Sequence, residues 1–229
     1  MNSRLKCALI ALATVALAWT TMDSIAQTSY GRLALDNLSD SKVGSFPRKW
    51  RTWPFQRDDA EKVYKVAEEG GKRFIRAHDE QDLSEQIFLN FNWEIDKRPM
   101  LSWSWRATKL PKGGMESSGA TNDSACGLYV VIGRYKGHAI KYVWSTKLPA
   151  GKVVTRRDGK LKIKVLDSGS AKVGSWVSHK VDVVKDYEEL FGKKLDKNPS
   201  GIGLLTDGNA LHVPSGCDYR GFAISGDGS

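Results

Sequence analysis

Three groups of side chains in this sequence could do chemistry with a ligand. The first is Ser102, Ser104 and Arg106, which alternate with Leu101, Trp103 and Trp105 between Leu101 and Thr108. A strict period of two puts the hydroxyls and the guanidinium on one face of a strand and the apolar side chains on the other. An arginine there can fork onto the carboxylate or sulfate of an acidic glycan. Lys141 and Arg134, on neighbouring strands, add positive charge. The competing reading of that face is plain solvent. If it binds, it forms the floor of a groove, with the loop 109–124 along the rim. The second group is Trp50, Trp53 and Trp93, which sit beside proline or polar residues. An indole on a sandwich face stacks on a sugar ring. The alternative is core burial, which the alternation favours for Trp103, Trp105 and Trp144. The third group is Asp123, Asp207 and Asp218, each beside a strand end and two of them near Asn122 or Asn209. Carboxylates with amide oxygens suit calcium, a hard ion that takes oxygen ligands. Turn and cap chemistry is the competing reading, and a glycosidase pair is a third. No other cofactor is suggested.

Other catalytic signatures are absent. There is no G-x-S-x-G, no H-E-x-x-H and no phosphate-cradling glycine loop. The four histidines, at 78, 138, 179 and 212, are isolated in sequence. The sequence therefore names no reaction.

Positioning these groups falls to many short strands. Val63–Glu68 and Lys72–His78 flank a Glu-Gly-Gly turn, a hairpin signature. Further strands are expected at 83–88, 101–108, 127–133, 139–146, 161–165, 176–184, 201–207 and 218–225. Within 139–146, Ile140, Tyr142 and Trp144 alternate with Lys141, Val143 and Ser145. The basic stretch 152–164 reads as a hairpin with a charged face. One short helix is expected over Asp186–Phe191, stopped by Gly192. The sum is an all-β chain: a jelly-roll-type β-sandwich of about ten strands with one short helix.

The chain is 229 residues long with a net charge of +9, which favours acidic partners. Arg4 and Lys6 precede an uncharged run, Cys7–Trp19, and Ser24-Ile25-Ala26 resembles a cleavage site. The run is shorter than the ~20 residues a membrane-spanning helix needs. Residues 1–26 are therefore expected to be a signal peptide cleaved near Ala26. The mature chain is expected to carry no transmembrane span and to be periplasmic or secreted. Residues 27–42 are expected to be loose and 43–225 to form one domain. Export argues against nucleic acid as a partner. Two cysteines remain outside the leader, Cys126 and Cys217, and an even count in an exported chain suggests that they pair. The alternative is two buried thiols.

Phe46-Pro47-x-x-Trp50, Pro99-Met100-Leu101-Ser102-Trp103-Ser104-Trp105-Arg106, the glycine-rich loop that follows, Asn122-Asp123 and Leu128-Tyr129-Val130-Val131 carry a resemblance. Over about residues 43–225 the chain resembles an exported bacterial family, the domain of unknown function 3047 family. Asn122 stands where the family's Asp-Asp-x-Ala segment has its first Asp. The resemblance implies an exported jelly-roll-type sandwich and supplies no catalytic residues. Charge, fold class and aromatics together lead to the expectation of a protein that binds an acidic carbohydrate. A glycan-active lyase or hydrolase on the same fold, and an envelope structural or interaction protein without a small ligand, are the alternatives.

Overall fold

The computed structural model describes residues 30–133 and 137–227. The expected signal peptide and Arg134 lie outside the described residues.

Among the described residues thirteen strands build two sheets. They are β1 (Leu33–Ala34), β2 (Arg51–Thr52), β3 (Tyr64–Glu69), β4 (Lys72–Asp79), β5 (Gln86–Asn90), β6 (Met100–Lys109), β7 (Cys126–Ile132), β8 (His138–Ser145), β9 (Val153–Arg156), β10 (Leu161–Ser168), β11 (Val177–Asp182), β12 (Pro199–Leu205) and β13 (Ser215–Ser225). One sheet has the order β11-β6-β13-β4-β3, with β1 added to β13. The other runs β2-β5-β12-β7-β8-β10-β9. Pairing is antiparallel except between β8 and β10. There the chain leaves β8, runs back along the edge as β9, and returns as β10 in the slot between them.

The two sheets share one core, made by the faces the alternation marks as apolar. Leu101, Trp103, Trp105 and Ala107 of β6 are buried, and so are Ile140, Tyr142 and Trp144 of β8. The Trp103 ring meets Tyr142 across the interface at 5.5 Å. Cys126 on β7 and Cys217 on β13 form a disulfide, with Cα atoms 5.4 Å apart, that ties sheet to sheet. The fold is the expected all-β sandwich, with more strands than expected because β1, β2 and β9 are too short to show a period.

The described residues include two short α-helices, α1 (Arg57–Val63) and α2 (Val183–Phe191). The expected helix is α2. It starts three residues earlier than its apolar spacing indicates, because the Asp182 carboxylate accepts the Lys185 amide at 2.9 Å and so caps the first turn. Gly192 ends it in the left-handed conformation at φ 67°. Helix α1 escapes a periodicity reading because only Ala60 and Val63 of its seven residues are buried.

The segment 27–42 was expected to be loose, and from Tyr30 onward it is not. Leu38 is buried in the core, Asp36 accepts the Trp50 indole N–H at 2.9 Å, and β1 pairs with β13. Arg73 donates to the carbonyls of Leu38, Ser39 and Ser41. Leu38 sunk into the sandwich, with Leu35 packed partly buried beside the core, holds the strap.

Candidate functional site

On the polar face of β6 the arginine expected to meet a ligand is instead held by carboxylates of its own sheet. Arg106 puts Nε and Nη2 on Oδ2 of Asp218, at 3.0 and 2.7 Å, and Nη1 on Glu69 at 2.9 Å. Asp218 is fully buried and also takes Nε of Arg76 at 3.1 Å. The Arg106 and Arg220 guanidiniums lie 4.7 and 3.8 Å from the Trp176 ring. Arg76 and Arg106 also cover Phe74, which is buried although it faces outward. Arg106 is thus a scaffold residue rather than a ligand residue. Ser104 shares its hydroxyl with Ser178 at 2.8 Å, and Ser102 reaches only a backbone carbonyl at 3.4 Å.

Lys141 lies on the other sheet, so it shares no floor with Arg106. It is 2% exposed on the outward face of β8. The loop 110–125 folds over this face, not along β6. Glu116 accepts the hydroxyls of Ser145 and Ser124, Thr146 donates to the Pro111 carbonyl, and a Cβ added at Gly119 would stand 3.0 Å from the Arg156 guanidinium. Burial pulls the Lys141 pKa down, but Tyr129, Asp207 and Glu116 outweigh it, and the net shift is upward. The ammonium stays charged under the loop and is closed to a ligand.

The three candidate metal-binding aspartates have separate employment. Asp218 holds the arginines. Asp123 accepts the amides of Ala210 and Leu211 at 3.0 and 2.9 Å, and burial raises its pKa against those bonds. Asp207 takes the Ser84 hydroxyl. The disulfide does not draw Asp123 and Asp218 together, because Asp218 points out of the six-stranded sheet. No group of three His, Cys, Asp or Glu among the described residues could hold a metal ion.

Two of the three candidate tryptophans are core. Trp50 and Trp93 are 1% and 0% exposed, and their indole N–H groups go to Asp36 and to the Arg98 carbonyl. Proline and polar neighbours in sequence misled here, since a strap and a turn fold those neighbours outward. Trp53 is the exception: it is 51% exposed and stands at a cleft.

That cleft, about 750 Å³, lies on the outward face of the seven-stranded sheet, in the size range of ligand sites. Strand register builds its floor. Asn90, Gly201, Val131, Ala139 and Leu161 form one row across five strands. In the next row Phe88 and Tyr129 line the cleft, with Gly203 paired between them. Glycine at two alternate positions of β12 keeps the middle of the floor low. A Cβ at Gly203 would stand 3.7 Å from Cβ of Tyr129 and 3.3 Å from Nε2 of Gln86. One at Gly201 would strike the Leu89 carbonyl at 2.2 Å, so that position admits glycine alone.

The two sides of the cleft differ. On one, Trp53 stands edge-on to Phe88, ring centroids 4.7 Å apart, with Gln86 and Asn90 beside them. On the other, Arg157 and Lys160 are exposed at the β9–β10 turn, next to Leu161. His138 closes one end, bonded to the Tyr187 hydroxyl at 2.6 Å and stacked on Phe191. Its pKa is lowered by burial first and then by Lys193, Lys160 and Lys197, against an opposing pull from Asp196. No Asp or Glu is among the described residues that line the cleft. Of its residues the sequence reading singled out Trp53 alone for a ligand. The signals that could have found it were the Gly-x-Gly of β12 and the outward alternation of Gln86, Phe88 and Asn90.

The pattern of the family described as "Protein of unknown function (DUF3047)" matches residues 48–220. No curated protein matches the chain in sequence. Among solved structures, the chain is similar to the xyloglucanase domain of NopAA from Sinorhizobium fredii, in complex with cellobiose. The identity is 10%, the match covers 86% of this chain and 96% of that one, and the TM-score is 0.41. It is also similar to the Trichoderma harzianum endoglucanase 3 from family GH12 (8% identity, 71% and 81% covered, TM-score 0.39). A third is CBM29_1, a family 29 carbohydrate-binding module from Piromyces equi (12% identity, 81% and 89% covered, TM-score 0.32). At such scores these likenesses decide nothing about activity.

Proposed function

We propose that this chain, which belongs to the DUF3047 family, is an exported carbohydrate-binding protein whose cleft on the seven-stranded sheet takes a segment of acidic glycan. The observation that carries this reading is the composition of the cleft. An aromatic wall of Trp53 and Phe88 faces a cationic wall of Arg157 and Lys160, with Tyr129 in the floor and no carboxylate in the described lining. A sugar ring presents C–H groups that suit the aromatic wall, and its acidic substituent suits the cations.

The same composition weighs against hydrolysis in this cleft. The usual glycosidase mechanism needs two carboxyl groups roughly 5–9.5 Å apart across the scissile bond, and the described lining supplies neither. Export is supported by the Cys126–Cys217 disulfide, a bond rare in the cytosol. No helix among the described residues is long and apolar enough to cross a membrane.

Calorimetric titration of the chain from Gln27 onward with neutral and uronate-containing oligosaccharides tests the reading. Acidic oligosaccharides should bind, and binding should weaken as salt is added. Trp53→Ala should cost about tenfold in affinity, the worth of one lost stack. Replacing both Arg157 and Lys160 by alanine should flatten the salt dependence. If no oligosaccharide binds, or both variants bind as the parent does, the cleft is not a glycan site and the interaction-protein reading takes its place.

A further inference from the structure

The chain turns sharply where the cleft's aromatic wall ends. The Gln56 amide donates to the Trp53 carbonyl at 3.2 Å, which closes a turn over Trp53-Pro54-Phe55-Gln56. Proline at the second position and a positive φ at the third are the marks of a type II turn, whose third position favours glycine or asparagine. Here it is phenylalanine, at φ 66°. A bulky side chain in the left-handed region is strained. Its ring gains nothing from the fold in return, for Phe55 is fully exposed, at 105% of its reference area. A residue that strains the backbone and buries nothing points to a role outside folding.

Position says what that role is. Phe55 lies two residues beyond Trp53, the indole that packs edge-on to Phe88 and lines the cleft. Arg51, on the outward face of β2 and in register with Phe88, is exposed beside them. The aromatic wall therefore continues out of the cleft as Trp53, Pro54 and Phe55, with a cation next to it.

We propose that the Trp53–Phe55 turn is an outer ring-stacking subsite, so that the ligand is a polyanionic glycan chain that runs through the cleft and over this lip. A chain end or a disaccharide held inside the cleft would leave Phe55 bare. This inference rests on the carbohydrate reading above and adds the length of the ligand to it.

The test uses oligogalacturonates of two lengths, a disaccharide and an octasaccharide, with the parent and Phe55→Gly. Glycine relieves the turn, so the variant should melt about 3 °C higher. It should bind the disaccharide as the parent does and the octasaccharide about fivefold to tenfold more weakly. A gain in stability with a loss confined to the long ligand is a pattern that a structural role for Phe55 would not produce. If the parent binds both oligosaccharides and Phe55→Gly binds the octasaccharide equally well, the outer subsite is wrong and the cleft reading stands. If the parent binds neither, both fall together. If the variant instead loses sedimentation with anionic phospholipid vesicles while its glycan binding is intact, the lip serves a membrane surface and the subsite is overturned.

Discussion

Replacing Arg106 by alanine should damage the fold and spare the ligand. Two guanidinium nitrogens hold Asp218, whose side chain is 1% exposed, at 3.0 and 2.7 Å. Breaking a buried pair from one side costs about 3–5 kcal/mol, because the remaining charge is left uncompensated. Two features reduce that here. Arg76 still reaches Asp218 at 3.1 Å, and the lost contact to Glu69 counts for little because Glu69 is 60% exposed. The lost packing of the guanidinium on Trp176 and Phe74 adds some back. The net expectation is about 2–4 kcal/mol. For a domain of this size each kcal/mol moves the melting temperature by about 2–4 °C, so the fall should be roughly 5–15 °C. Thermal melts followed by circular dichroism, with the disulfide intact, measure it. A double replacement, Arg106→Met with Asp218→Leu, should recover most of the loss, since an apolar pair of similar volume removes the stranded charge. At temperatures where Arg106→Ala is folded, its affinity for an acidic oligosaccharide should equal the parent's. An Arg106→Ala protein that melts within about 1 °C of the parent but loses that affinity would refute the reasoning. It would return the binding site to the face of β6.

Two further outcomes are expected. The disulfide spans 91 residues of sequence, and in the chain-entropy model opening it should cost about 4–5 kcal/mol. Thiol titration of the unreduced, denatured chain from Gln27 onward should find no free thiol, and the Cys126→Ser, Cys217→Ser protein should melt far below the parent. Glu85 has a buried Oε2 without a hydrogen-bond partner, and burial, with Asp59 and Asp79 adding to it, raises its pKa above the usual 4.5. The folded state thus holds this proton more tightly than the unfolded chain, and stability is lost as pH rises through 4.5 and the raised folded value. Glu85→Gln should therefore gain about 1 kcal/mol at neutral pH, and the gain should vanish in melts below about pH 4.

What was legible in the sequence is what depends on neighbours in the chain. Alternation in β6 and β8 marks Trp103, Trp105 and Trp144 as core, because successive side chains of any strand point to opposite faces. Glu69-Gly70-Gly71 marks the β3–β4 hairpin, and the pair Cys126 and Cys217 marks the disulfide. Each is a local pattern or a count, and needs no knowledge of which strand pairs with which.

The site depended on that knowledge. Alternation correctly turns Arg106 away from the core, but only the pairing of β6 with β13 sets Asp218 opposite it, 112 residues away in sequence. Alternation likewise turns Lys141 outward, but only the tertiary structure buries its ammonium among Tyr129, Asp207 and Glu116. Trp50 and Trp93 look like surface residues until the strap at 36–38 and the turn at Arg98 close over their indoles. The cleft leaves only fragments in the sequence, the Gly-x-Gly of β12 and the alternation of Gln86, Phe88 and Asn90, and neither says what stands beside it. Trp53, Phe88, Gly201, Tyr129 and Arg157 come from separate stretches of chain, and register between strands distant in sequence puts them on one floor and its two walls. A sequence read by period can say which side of its own strand a residue takes. Whether that side meets solvent, a neighbouring charge or an open groove is decided by long-range pairing, which only the tertiary structure contains.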